Sequence, residues 1–401
     1  MDALTTPLPK AWQKVRLGDV AHIFDGTHQT PQYTHYGVAF FSVENIVSDK
    51  PSKFISQQDY LTATNQNRPE YNDILLTRIG TIGVSKVVNW NYPFSIYVTL
   101  AVIKQSKYFN SYYLHYFIQS NFFQKELKNN SLLQAIPCKI NMNELKKCEV
   151  ILPSLNEQIA IANILSDVDH YLYSLDALIL KKESVKKALS FELLSQRKRL
   201  KGFNQAWQRV RLGTYKYRRG SFPQPYGNPQ WYSDNGMPFV QVYDVGENFK
   251  LNQKTKQKIS KIAQPMSVFV PKNSVIITLQ GTIGRVALTQ YDCYCDRTIL
   301  IFDNNTLNDV NKYFFVLSLF TKFEEEKRKA DGSIIKTITK QTLKDFEILL
   351  PPLNEQIAIA NILSALDSEI ISLKNKKRQF ENIKKALNHD LMSAKIRVLK
   401  K

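Results

Sequence analysis

A chain of 401 residues, 43% of them apolar, is long enough for two or more domains, each with a real core. Its 54 Lys and Arg against 35 Asp and Glu leave a net charge of +19, which favours a polyanionic partner through phosphate neutralisation, although a generically basic surface gives the same balance. Cys138, Cys148, Cys293 and Cys295 have neither a disulfide framework nor a CxxC zinc spacing, and no apolar run approaches the ~20 residues of a membrane span, so disulfide scaffolds and membrane proteins are disfavoured.

The opening MDALTTPLPKAWQ lacks the charged start and apolar run of a secretory signal, so a cytoplasmic location is expected. Along the chain, AWQKVRLG (11–18) returns as AWQRVRLG (206–213), and NDILLTRIGTIG (72–83) returns as NSVIITLQGTIG (273–284). LPSLNEQIAIANILSDVD (152–169) returns as LPPLNEQIAIANILSALD (350–367) with 15 of 18 positions identical. The offsets are 195, 201 and 198, so a unit of roughly 200 residues recurs in one order. Within each unit, residues 1–150 and 203–348 alternate short β-rich runs (VAFFSV, PFVQVY, SVIITL) with Gly, Pro and Asn turns and helical stretches such as Tyr113–Glu126. That pattern predicts an α+β chain built on two mixed α/β domains.

Residues 151–202 and 349–401 each read as one long helix. Ser154 and Glu157 have capping-box spacing, and Pro352 in the second copy suits a first helical turn. Leu165, Val168, Leu172, Leu175 and Ile179 step by 3 and 4, as do Leu363, Leu366, Ile370 and Leu373, then Phe380, Ile383, Leu387 and Leu391. Such a seam needs an apolar partner stripe. About 40 helical residues span ~60 Å, more than one compact domain can cover. The expected solution is an antiparallel coiled coil of the two helices, a pseudo-twofold tandem repeat within one chain. Packing of each helix on its own domain is the alternative. The later parts, 181–201 and 375–401, are rich in Lys and Arg, as solvated faces usually are.

Catalytic signatures are missing. GTIG at 80–83 and 281–284 lacks the third glycine of a dinucleotide fingerprint, there is no phosphate loop, and the six His are scattered. Asn228-Pro229-Gln230-Trp231 departs at its second proline from the motif of a base-amino methyltransferase. The acidic run at 324–327 is too generic for a nuclease centre.

Two dissimilar domains, each followed by a near-identical helix opening LPxLNEQ and each begun by W-Q-x-V-R-L-G at Trp12 and Trp207, resemble the specificity subunits of type I restriction–modification systems over the whole chain. The resemblance implies target recognition domains at 1–150 and 203–348 and spacer helices at 151–202 and 349–401. It also implies double-stranded DNA as ligand, read as two unrelated half-sites separated by a fixed gap. The helices would dock two copies of a methyltransferase (modification) subunit, with restriction subunits joining them. S-adenosylmethionine, ATP and Mg would sit on those partners, and no cofactor or metal on this non-catalytic chain.

Loops that mix turn residues with donors and acceptors suited to base edges are the candidate readers. They are Thr27, His28, Gln29 and Thr30 in the first domain, and Arg218, Arg219, Ser221, Gln224 and Tyr226 in the second. A second set is Thr77, Arg78, Gly80 and Thr81 with Gln280, Gly281 and Thr282, and Lys139 and Lys336 are candidate phosphate contacts. Each string could instead be an ordinary polar turn. Leu155, Asn156, Glu157 and Gln158, repeated as Leu353, Asn354, Glu355 and Gln356, are the expected docking residues, since their polar positions match as closely as their apolar ones. Shared capping and packing is the alternative. Two other classes compete with the DNA reader: a coiled-coil scaffold with two protein-binding domains, and an enzyme with an unrecognised site.

Overall fold

The structure is a computed structural model that describes residues 8–46, 51, 53–246, 248–281, 283–329 and 340–398. The chain divides into two compact units, Met1–Leu178 with Leu373–Lys401, and Ile179–Ser372. Each unit holds one sheet domain, the first half of one long helix and the second half of the other.

In the first domain, one four-stranded antiparallel sheet runs Ile23–Asp25, Leu100–Ile103, Ile74–Thr77, Ser85–Val87. Its central strands, ILLT and LAVI, are wholly buried, which is why they read as unbroken apolar runs. Alternate residues serve two cores. Ile74, Leu76, Ala101 and Ile103 face the cluster that includes helices Ser111–Ile118 and Asn121–Asn129, while Leu75 and Val102 face the second sheet. That second sheet runs Tyr33–Thr34, Lys53–Ile55, Val38–Phe41, Phe94–Ile96, its last pair parallel. The second domain repeats the layers with Tyr217–Arg219, Ile299–Phe302, Val275–Thr278, Val286–Leu288, and with Gln257–Ile259, Tyr232–Val240, Cys293–Cys295, Val268–Val270. A two-strand clasp closes each domain: Gln13–Arg16 on Glu149–Leu152 in one, Gln208–Arg211 on Glu347–Leu350 in the other, in the same register.

The long helices run Leu155–Leu194 and Leu353–Met392, 40 residues each. In the first unit Asp169 pairs with Lys384 at 2.6 Å and Asp176 with Lys377 at 2.7 Å, so one helix number rises as the other falls. In the second unit Lys182 pairs with Glu369 at 2.8 Å, and Lys186 with Asp367. Within each unit the two segments therefore pack antiparallel. Leu165, Leu175, Ile179, Leu363, Ile370 and Leu391 are buried, Leu165 and Leu391 within the core cluster of the first domain and Leu363 within that of the second. Ile383 is not: it is 51% exposed, and Phe380 turns toward Tyr171 instead, ring centroids 4.6 Å apart. Leu353–Met392 is long and apolar enough to cross a membrane, but its Ile359, Leu363, Ile370 and Leu391 are buried inside the protein.

Only half of the expected capping box forms. Ser154 Oγ accepts the Glu157 amide at 3.4 Å, while the Glu157 carboxylate turns to Trp12 and to Arg397. In the other copy Pro352 precedes the first helical residue and its carbonyl accepts the Glu355 and Gln356 amides.

Candidate nucleic-acid interface

In each domain the candidate reading loop leaves its strand at a glycine that no other residue could replace without a shift. A Cβ on Gly26 would lie 2.1 Å from the Ile96 carbonyl oxygen, and one on Gly220 would lie 2.2 Å from that of Cys295. The Tyr97 amide donates to Phe41 O at 2.9 Å, and the Asp296 amide donates to Val240 O at 3.0 Å. Tyr97 and Asp296 therefore hold the same place beneath the two loops.

Past Gly26, Thr27 Oγ1 donates to Gln29 O at 3.2 Å, and the Thr30 and Tyr97 hydroxyls lie 3.2 Å apart. His28 Nε2 is 3.2 Å from Asp25 Oδ2, and His28, Gln29 and Thr30 are exposed. Asp25 also accepts Arg78 Nη1 at 3.1 Å. Arg78, expected at the DNA, is 6% exposed and also donates to Val98 O at 2.9 Å and Ile140 O at 3.3 Å. Burial pulls its pKa down, and Asp25 opposes this. Arg78 is thus a post that joins the loop to the segments behind it. Thr77 is likewise interior, its hydroxyl accepting the Val84 amide at 2.9 Å. Gly80, at φ +79°, and Thr81 are exposed. The Gly80 amide donates to Cys138 O at 2.8 Å, and a bridge pairs Ile79 with Lys139. The structure so gathers Thr27–Thr30, Gly80, Thr81 and Lys139 through one chain of contacts.

In the second domain Arg218 and Arg219 are exposed on their strand, with Arg218 Nη2 donating to Phe269 O at 3.0 Å. Ser221 Oγ donates to Met266 O at 3.0 Å, and Gln224 is exposed. The Tyr226 hydroxyl donates to the buried carboxylate of Asp296, which also accepts Thr298 Oγ1 at 2.8 Å and the Arg297 amide at 2.6 Å. Burial and that carboxylate push the Tyr226 phenol up. The exposed Arg297 guanidinium lies 5.3 Å from the Tyr226 ring centroid. Leu279 N donates to Thr298 O at 2.9 Å, placing exposed Gln280 and Gly281 beside this clasp. Thr282 and Lys336 lie outside the described residues. Tyr97, Asp296 and Arg297 escape the sequence reading. An Asp-Arg-Thr string directly after a strand is the faint signal for Asp296 and Arg297.

At the helix starts, Glu157 and Gln158 are 3% and 1% exposed, and Glu355 and Gln356 are 1% and 2% exposed. They are interior groups and cannot form a docking face. Glu157 accepts Trp12 Nε1 at 3.0 Å and Arg397 Nε at 2.7 Å; Glu355 accepts Trp207 Nε1 at 3.2 Å and Arg199 Nη2 at 2.7 Å. Gln158 Oε1 accepts the Asn110 amide at 2.8 Å, and Gln356 Oε1 accepts that of Asn311 at 2.9 Å. Their repetition follows from a latch made twice. The exposed repeated residues are Leu155, Asn156, Ile159 and Asn163, with Leu353, Asn354, Ile357 and Asn361. At spacings of three and four these share one helix face.

A family model described as the type I restriction modification DNA specificity domain matches residues 9–182 and 224–382. A protein of Methanocaldococcus jannaschii provisionally named the MjaX type I restriction enzyme specificity subunit is 27% identical over 416 residues, covering 98% of this chain and 95% of that one. The MjaVIII specificity subunit of the same organism is 23% identical, covering 98% of this chain and 94% of its own. The crystal structure of a type I restriction–modification S subunit from M. genitalium superposes with a TM-score of 0.63 at 15% identity, covering 98% of this chain and 99% of that one. The HsdS subunit from Thermoanaerobacter tengcongensis does so at 0.51 and 18% identity, covering 98% and 99%.

Proposed function

The chain belongs to the type I restriction–modification DNA specificity family, and from that premise we propose that its two recognition domains read two unrelated half-sites of one duplex target across a fixed gap. It is a specificity subunit with two DNA-recognition domains. The observation that carries the proposal is the pair of reading loops, alike in anchorage at Gly26 and Gly220 but different in sequence, GTHQT at 26–30 against GSFPQ at 220–224. Exposed Arg218 and Arg219 suit bidentate contact to guanine, Gln29 and Gln224 suit adenine, and Lys139 suits a phosphate.

The partners are double-stranded DNA, two methyltransferase subunits and restriction subunits. Supporting two equal docking sites is the exposed face Leu155, Asn156, Ile159 and Asn163, which recurs as Leu353, Asn354, Ile357 and Asn361 and has no role in either core. The chain works in the cytoplasm and catalyses nothing itself. S-adenosylmethionine, ATP and Mg belong to its partners. Introducing Ile159→Glu and Ile357→Glu together should abolish co-purification of the methyltransferase subunit while leaving the fold intact. Undiminished co-purification would contradict the docking assignment.

A further inference from the structure

Beside the first reading loop stands a protrusion with no role in either core. Residues 132–139 form a stapled hairpin: the Leu132 amide donates to Lys139 O at 2.7 Å and the Lys139 amide returns to Leu132 O at 3.3 Å. Its neck is sewn to the GTIG turn, with the Gly80 amide on Cys138 O at 2.8 Å and the Ile140 amide on Arg78 O at 3.0 Å. A neck held this firmly presents its tip in one orientation. The tip is apolar. Ile136 is 100% exposed, and Leu132 and Leu133 are 49% exposed. Water is an unfavourable place for three such side chains, and rimmed apolar tips of this kind mark contact sites.

Basic groups surround the tip. Lys125 and Lys128 are exposed on helix Asn121–Asn129 and make no ion pair among the described residues, nor does Lys139 in the neck. Leu133 and the two lysines line a cleft of about 540 Å³ that reaches to Ile82 of the GTIG turn. Both charge and position favour one occupant. The phosphate backbone suits the lysines, and the neck is continuous through Arg78 and Asp25 with the loop that carries His28.

We propose that the 132–139 hairpin is an apolar wedge that enters the target duplex at a base step beside the first half-site, with Lys125 and Lys128 gripping the flanking phosphates. The inference rests on the DNA-recognition reading above and adds a deformation of the duplex to it. Side chains of Ile, Leu and Pro inserted between base pairs unstack the step and kink the helix. A methyltransferase partner has to take its base out of the stack, and a step already opened eases that extrusion.

The test uses the full chain reconstituted with its methyltransferase subunits and a duplex bearing the motif those subunits methylate. One duplex carries 2-aminopurine along the first half-site and another carries end fluorophores that report bending. Leu133→Ser with Ile136→Ser alters only surface positions, so thermal unfolding should not move. The wedge predicts lower 2-aminopurine fluorescence, a straighter duplex and about tenfold weaker binding to the motif, with binding to unrelated duplex unchanged. Lys125→Ala with Lys128→Ala should weaken both kinds of binding and lower the salt slope by about 2. Unchanged fluorescence and affinity in the serine variant would overturn the wedge. So would loss of methyltransferase co-purification with DNA distortion intact, which would make the tip a protein contact. A wild-type complex without preference for the motif would overturn the recognition reading and the wedge together, and is told apart by failing before any substitution.

Discussion

Tyr97 and Asp296 stand at one position of two domains that share a frame, and they hold their loops by different chemistry. Tyr97 meets the Thr30 hydroxyl at 3.2 Å, a neutral contact at the surface. Asp296 is a buried carboxylate that gathers Tyr226, Thr298 and the Arg297 amide, and the Arg297 guanidinium covers the tyrosine ring. The second sheets differ at the same level. The first domain adds Tyr33–Thr34 beside Lys53–Ile55, and the second adds Val268–Val270 beside Cys293–Cys295. Beneath these differences the clasps keep one register and the latches keep one geometry, Glu157 with Trp12 and Arg397, Glu355 with Trp207 and Arg199. The molecule thus separates what is equal from what is free to vary: interior polar contacts define the frame, and the loops above the glycines change without touching it.

The largest effect that probes this equality comes from the latches. Glu157→Ala strands a buried Trp12 N–H and Arg397, and Glu355→Ala strands Trp207 and Arg199. Each should cost about 3 kcal/mol, read as equal shifts in urea unfolding. A loss confined to one of them would break the equivalence of the units. Next come the loop glycines. Gly26→Ala and Gly220→Ala push a methyl group onto a carbonyl oxygen and should each cost about 1–3 kcal/mol, with weaker binding to duplexes that retain only the matching half-site. A variant that weakened both half-sites alike would show the domains to be coupled. The smallest effects sharpen the contrast between the clips. Tyr226→Phe removes one donor from a buried carboxylate and should cost about 1–2 kcal/mol, whereas Tyr97→Phe should cost about 0.5 kcal/mol, both read in unfolding titrations.

The duplication, the long helices and most of the seam are legible in the sequence because apolar spacing and self-similarity are local signals. The helix direction was legible too, in a signal that the basic runs alone hide. Residues 151–178 contain four Asp or Glu and no Lys or Arg, and residues 351–372 contain three and none, so only antiparallel pairing sets acidic starts against basic ends. Four of the lysines expected to be solvated, Lys182, Lys186, Lys377 and Lys384, are accordingly in ion pairs with acidic residues of the other helix. The role of Glu157 was not legible. Its partners lie 145 and 240 residues away, and a polar residue that recurs can serve the inside or the outside of a protein. Arg78 misled for the same reason, since an arginine in a turn reads as a surface group until Asp25 is seen beside it. The exposed apolar tip at Ile136 shows no periodicity at all, and only the neck contacts reveal that it is held in place.

The central claim, a common frame carrying two independent readers, is tested most directly by reading methylated sites in cells or reconstituted complexes by single-molecule sequencing. The comparison is between the natural chain and one with Arg218→Ala, Arg219→Ala and Gln224→Ala together. The natural chain should mark two unrelated half-sites with a fixed gap. The variant should lose or relax bases in one half only, with the other half and the gap unchanged. A palindromic or continuous target, or a variant that altered both halves or the gap, would contradict the account.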